Sequence, residues 1–188
     1  MKSFIAALAT ALAWLVVQVT WADTPTDHCD PVDGITSICG LSAPEDIEVL
    51  PGGRYLVFSQ MHEGLGLSLL DTRDDSVRPL YPPGASQAES GWGEAGCTAP
   101  DLEQILLHGI HLARRDDGRL QVLAVNHGGR ESVEFFEILE PRQVLPVAVW
   151  RGCVITPEPL FFNDVVSLSD GGFLATHMFS RKAQAWGA

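Results

Sequence analysis

The sequence predicts an all-β protein, and within that class a β-propeller left incomplete at about two and a half blades. Three observations carry this. Alternating apolar and polar residues form five successive hairpin-like pairs. The alternations are punctuated by turn residues drawn from 18 glycines and 12 prolines. One unit then recurs three times: a polar residue, aliphatic residues, a glycine-containing turn and a second strand.

The elements follow in chain order. Thr24 to Gly40 is a polar, turn-rich lead-in. Ile47 and Val49, the turn Pro51-Gly52-Gly53, then Tyr55 and Val57 make the first hairpin. Leu67 to Asp71, a charged turn around Arg73 to Asp75, and Val77 to Leu80 make the second. Segment 82–100, rich in Pro, Gly and Ser, reads as a long loop, and Asp101 to Leu107 as a short helical turn. Ile110 to Leu112, Asp116-Asp117-Gly118 and Leu120 to Val125 form the third hairpin. Val133 to Leu139 and Val144 to Trp150, bent at Glu140-Pro141, form the fourth. Asn163 to Leu168, the turn Ser169 to Gly172, and Phe173 to Thr176 form the fifth.

The recurring unit begins at Glu45-Asp46, at His108 and at Asn163-Asp164. From Asp46 to His108 is 62 residues, and from His108 to Asp164 is 56. Two hairpins per repeat make a four-stranded blade. The polar residue heading each blade's first strand would then sit at one mouth of a central channel, bringing Asp46, His108 and Asp164 together. A β-sandwich with coincidental spacing is the alternative. At roughly 55 to 60 residues per blade, only two blades and the first hairpin of a third are present, whereas a closed propeller needs at least four. The chain would be a fragment, or the fold would close by association.

The N-terminus predicts export. Lys2 precedes the apolar run Phe4 to Val19, and Thr20-Trp21-Ala22 places small residues where a signal peptidase reads. Cleavage is expected after Ala22, an uncleaved anchor being the alternative. No other segment is apolar enough to span a membrane. The organisation is thus 1–22 signal peptide, 23–40 lead-in and 41–188 propeller part, with a secreted or periplasmic destination. The formal charge of −12 becomes −13 without Lys2. Such acidity repels nucleic acid and anionic lipid and is compatible with a hard cation. The four cysteines, Cys29, Cys39, Cys97 and Cys153, contain no C-x-x-C pair, which argues against a zinc ribbon or a thioredoxin-type site. An exported chain permits two disulfides. Cys29 with Cys39, flanking DPVDG, is the first pairing to consider, with all three connectivities open.

Four segments, GLSAPEDIEVLPGGRYLVFS, HGIHL, LAVNHGGRESVEFFEI and FFNDVVSLSDGGFLATHMF, resemble the paraoxonase and arylesterase family. These are secreted six-bladed β-propellers with two calcium ions in the central tunnel, and the resemblance runs from about Gly40 to Phe179. It implies a calcium-dependent hydrolase of carboxylic esters or lactones, represented here by its N-terminal half. By resemblance Glu45 and Asn163 would ligate a catalytic calcium, while Asp46, Asp164 and the backbone carbonyl of Ile110 would hold a structural one. Such oxygen donors are what calcium takes. Neighbouring strand residues point different ways, which would let adjacent residues serve different ions. Each pair standing alone is equally a surface turn. His108 would be a general base toward water, with His127 as the partner that orients it.

His111, at an odd offset from His108, is expected on the opposite strand face and outside the site. His177 lies in a strand that could approach the tunnel. The implied partner is a small ester or lactone, with segment 82–100 expected to shape its binding. The family's remaining calcium ligands come from later blades, so Glu45 and Asn163 alone would leave an ion under-coordinated. The competing reading is a non-catalytic exported propeller that binds a partner at its channel mouth with structural calcium.

Overall fold

The computed structural model describes residues 31–82, 86–140, 144–157 and 160–180. The expected signal segment, its cleavage point at Ala22, and Cys29 lie outside the described residues. The chain divides into two compact units, Met1–Cys39 and Gly40–Ala188. In the first, Val32 and Ile35 exchange backbone hydrogen bonds of 2.9 Å across Asp33-Gly34. Both turn residues have positive φ, 51° and 80°, as a tight two-residue hairpin turn requires.

The second unit is all-β. Its ten strands are β1 (Pro44–Val49), β2 (Tyr55–Gln60), β3 (Leu67–Asp71), β4 (Ser76–Tyr81), β5 (Leu107–Arg114), β6 (Leu120–Asn126), β7 (Ser132–Leu139), β8 (Val147–Ile155), β9 (Leu160–Ser167) and β10 (Phe173–Ser180). They form two four-stranded antiparallel sheets in sequential order, β1-β2-β3-β4 and β5-β6-β7-β8, and a separate β9-β10 hairpin. None of the sheets closes into a barrel. All five alternations read from the sequence form hairpins. Among the described residues there is no helix, and so none long and apolar enough to cross a membrane. The short helical turn expected at Asp101 to Leu107 forms as one hydrogen-bonded turn over Asp101 to Ile105, and Leu107 begins β5. Gln104 and Ile105 donate to the Asp101 carbonyl, and the Asp101 carboxylate caps the Glu103 amide at 3.0 Å.

Period-2 alternation accounts for the packing. In β6, Val122 and Ala124 face one way and Leu123 and Val125 the other. The first pair joins Val57, Leu69, Leu107 and Trp150 in a core shared by the two sheets. The second packs with Val133, Phe135 and Trp92 against Val165 of β9. The near-continuous apolar run LQVLAV is therefore a strand covered on both faces.

Segment 82–100 is the loop expected to shape substrate binding. Its residues from Ser86 onward run along β8, the edge of the second sheet. Gln87 donates to the Trp150 carbonyl, Glu89 to that of Arg151 and Glu94 to that of Cys153. A Cys97–Cys153 disulfide, Cα atoms 5.7 Å apart, fastens this cover. An exposed strand edge is a template for unwanted pairing, and a pinned loop blocks it. Cys39 is also disulfide-bonded.

Candidate functional site

The three sheets meet along β1, β5 and β9, and each of these strands carries the same irregularity. In β1, the pairs Pro44 with Gln60 and Ile47 with Phe58 leave Glu45 and Asp46 opposite Ser59 alone. In β5, Leu107 with Asn126 and Ile110 with Ala124 leave His108 and Gly109 opposite Val125 alone. In β9, Phe162 with His177 and Val165 with Ala175 leave Asn163 and Asp164 opposite Thr176 alone. Each is a β-bulge with one extra residue, a device that re-aims side chains. The three doublets are the three positions at which the sequence repeats. Strict alternation is suspended there, so the assumption that neighbours point to opposite faces does not apply to them.

The doublets touch one another. The Ile110 amide donates to Asp46 Oδ2 at 2.8 Å, joining β5 to β1. Asp46 also accepts from its neighbour Ile47, and its own amide donates to Ser59 Oγ, the residue across the bulge. Gly109 is required by proximity. A Cβ there would lie 2.6 Å from the Asn163 carbonyl oxygen, from Asp164 Cα and from Asp164 Oδ1. Only glycine allows β9 this close to β5. Asp164 Oδ1 accepts from the Val165 amide at 2.7 Å, and Asn163 is exposed.

The histidines form a chain. His108 Nε2 lies 3.1 Å from Glu45 Oε1, and His108 Nδ1 lies 3.1 Å from His127 Nε2. His127 Nδ1 in turn lies 3.0 Å from both carboxylate oxygens of Glu131. Phe161 stacks on the His127 ring with centroids 4.0 Å apart, and Phe179 stacks on Phe161. His108, His127 and Glu131 are buried, while the Glu45 side chain is 34% exposed. Glu45 thus marks the open end of the chain and Glu131 its closed end. Burial pushes the Glu45 carboxyl up. His108 draws it back, and the neighbouring carboxylates Asp46 and Asp164 push it further up.

The structure therefore brings together Glu45, Asp46, His108, Ile110, His127 and Asp164, with Asn163 on the same doublet as Asp164. Ile110 contributes its amide to Asp46. In an extended strand the carbonyl of a residue points to the same side as its amide. His111 lies elsewhere, its Nδ1 accepting from the Ser167 amide at 3.1 Å. His177 is exposed on β10. Two residues were missed by sequence reasoning, Glu131 and Phe161. Glu131 stands four residues after His127 across a Gly-Gly turn, where it looks like an ordinary turn acid. Phe161 looks like core.

The β5 doublet offers the nitrogens of His108, while the side-chain donors of the β1 and β9 doublets include hard oxygens, the type that calcium takes. Their crowding fits a cation too, since Asp46 and Asp164 both disfavour the charged form of Glu45. Among the described residues, no Lys or Arg pairs with Glu45, Asp46 or Asp164. Nor, among them, do three His, Cys, Asp or Glu side chains converge closely enough to hold a metal by themselves. A cleft of about 560 Å³ lies at the other ends of β5 and β9, lined by Arg114 to Asp117 and Ser167 to Gly171, away from these groups. No model of a known family matches the chain, and no curated protein matches its sequence.

Proposed function

We propose that the chain belongs to an exported six-bladed β-propeller of the paraoxonase and arylesterase type, acting as a calcium-dependent hydrolase of carboxylic esters or lactones. The observation that carries this is the His108–His127 hydrogen bond, set beside bulged doublets rich in oxygen donors. Two four-stranded meanders followed by a hairpin, with their first strands side by side, agree with successive propeller blades. The N-terminal apolar run supports a secreted or periplasmic location.

In this reading His108 is the general base. It takes a proton from water at one ring nitrogen while His127 holds the other and keeps the imidazole oriented. Burial of both rings excludes competing solvent. Glu45 and Asn163 would hold one calcium, and Asp46, Asp164 and the Ile110 carbonyl a second. When bound, the ion would supply electrostatic stabilisation for negative charge developing on the ester carbonyl oxygen.

The test pairs turnover with binding. Phenyl acetate and a γ-lactone are assayed with calcium and with a chelator, and thermal unfolding is followed in parallel. Calcium at about 100 times its dissociation constant stabilises by about 2.7 kcal/mol. His108→Gln is expected to lower kcat by about 10²- to 10⁴-fold while keeping the calcium-dependent rise in Tm. A calcium-dependent Tm without turnover of any ester or lactone would instead favour a binding module with structural calcium. No response to calcium in either assay would sink both readings.

A further inference from the structure

We propose that Glu131 is a positioning residue that fixes which nitrogens of His127 and His108 carry protons. This rests on the hydrolase reading only for its consequence in turnover, because the hydrogen-bond assignment stands on geometry. An ionised carboxylate is an acceptor only. Both Glu131 oxygens lie 3.0 Å from His127 Nδ1, and the Phe162 amide donates to Glu131 Oε1 at 2.7 Å. His127 Nδ1 must therefore donate, which leaves Nε2 as the acceptor in the neutral ring. At 3.1 Å from that acceptor, His108 Nδ1 becomes the donor. His108 Nε2 lies 3.1 Å from Glu45 Oε1, a contact that holds one proton between imidazole and carboxyl, so the proton that His108 can exchange is the one on the side of Glu45 and the doublets. A single carboxylate two side chains away thus sets which end of His108 exchanges its proton. The stacked Phe161 ring restricts His127 to the plane in which this alignment holds.

Glu131 also ties the dyad to β9. Its carboxylate holds the Phe162 amide, next to Asn163, and its carbonyl accepts from Thr156 at 3.0 Å. A purely structural role would consist of that anchoring alone. The two roles separate in the imidazole spectrum.

The experiment is nitrogen NMR of the full chain with labelled histidine, before and after Glu131→Gln. The glutamine carbonyl still serves the Phe162 amide, but its NH₂ group competes at His127 Nδ1. In the wild type, His127 is expected as the Nδ1–H tautomer with an unprotonated Nε2, and His108 as Nδ1–H. In Glu131→Gln, the Nε2–H form of His127 becomes populated. kcat falls by about 10- to 100-fold with KM within about twofold, the usual scale for losing a group that orients a histidine. A wild-type His127 in the Nε2–H form overturns the proposal, and so does a Glu131→Gln spectrum that keeps the wild-type tautomer. The wild-type spectrum is a test in itself, so a variant that fails to fold does not shelter the idea. Absence of any ester or lactone turnover, with a tautomer that follows Glu131, would remove the hydrolase reading and leave the assignment standing. Turnover with a tautomer indifferent to Glu131 would do the reverse.

Discussion

Sheet β1–β4 and sheet β5–β8 share one topology and differ in what covers them. In the second, β6 is buried along its whole length and β7 in all but its last residue. In the first, β1 and β4 alternate between exposed and half-covered positions for much of their length, with Ile47 57% and Val49 55% exposed. The second sheet is packed on one face by the first and on the other by β9 and Trp92. The buried histidine pair belongs to this doubly covered sheet, while the acidic pair Glu45-Asp46 belongs to the outer strand β1 of the first sheet, whose inner strand β3 is buried at every position. The lesson is a division of labour by burial. The two imidazoles sit where packing is complete, and the Glu45 carboxylate sits at the more open strand.

Five variants would break or sharpen this contrast. The largest effect is expected from Cys97→Ser with Cys153→Ser, which frees the cover along β8. The bridge closes a loop of 56 residues, and its loss should cost about 4 kcal/mol in denaturant unfolding. Next is Leu123→Ala, in the core that only the second sheet has. It should cost about 3 kcal/mol, whereas Val77→Ala on the first sheet, 36% exposed, should stay within about 0.5 kcal/mol. Equal costs would show that the two sheets are covered alike.

Gly109→Ala places a methyl against Asn163 and Asp164. It should cost about 2 kcal/mol through overpacking and weaken calcium binding measured by titration calorimetry. An unchanged stability would mean that β9 does not press on β5 as described. The smallest effect concerns pH. Hydrogen bonds from Arg54, at 2.5 to 3.1 Å, hold the Asp71 carboxyl below its ordinary value of 3.8. A depressed carboxyl contributes stability above its unfolded value, and that contribution is lost as pH falls through the folded one. Asp71→Asn should therefore flatten the acid limb of the stability profile below about pH 4 and leave the neutral region's slope unchanged. An acid limb identical to wild type would dismiss this pair.

Much of the fold was legible because alternation is local. Each hairpin announces itself within about ten residues. The repeat at Glu45-Asp46, His108 and Asn163-Asp164 was legible as spacing. Its physical form was not, because a bulge is a mismatch between two strands and cannot be read from one of them. The Cys97–Cys153 bridge was left open for a similar reason, since 56 residues of separation say nothing of proximity. Glu131 was hidden by its neighbours. In NHGGRES an acid beside a glycine turn looks like solubility, and only the folded turn aims it at His127. Trp92 was scattered in sequence and is buried in structure, in a segment read as loop.

The bulged doublets have one more consequence. Each arises because the first strand of its sheet holds one residue more than its partner needs, so the arrangement is encoded in chain length as much as in residue identity. Exchanging a side chain at a doublet alters chemistry and leaves the backbone device intact. Deleting one residue, Gly109 for instance, would restore a regular ladder and rotate one flank of β5 by a full face relative to the other. Insertions and deletions, usually tolerated best in loops, would here act most strongly in the middle of a strand.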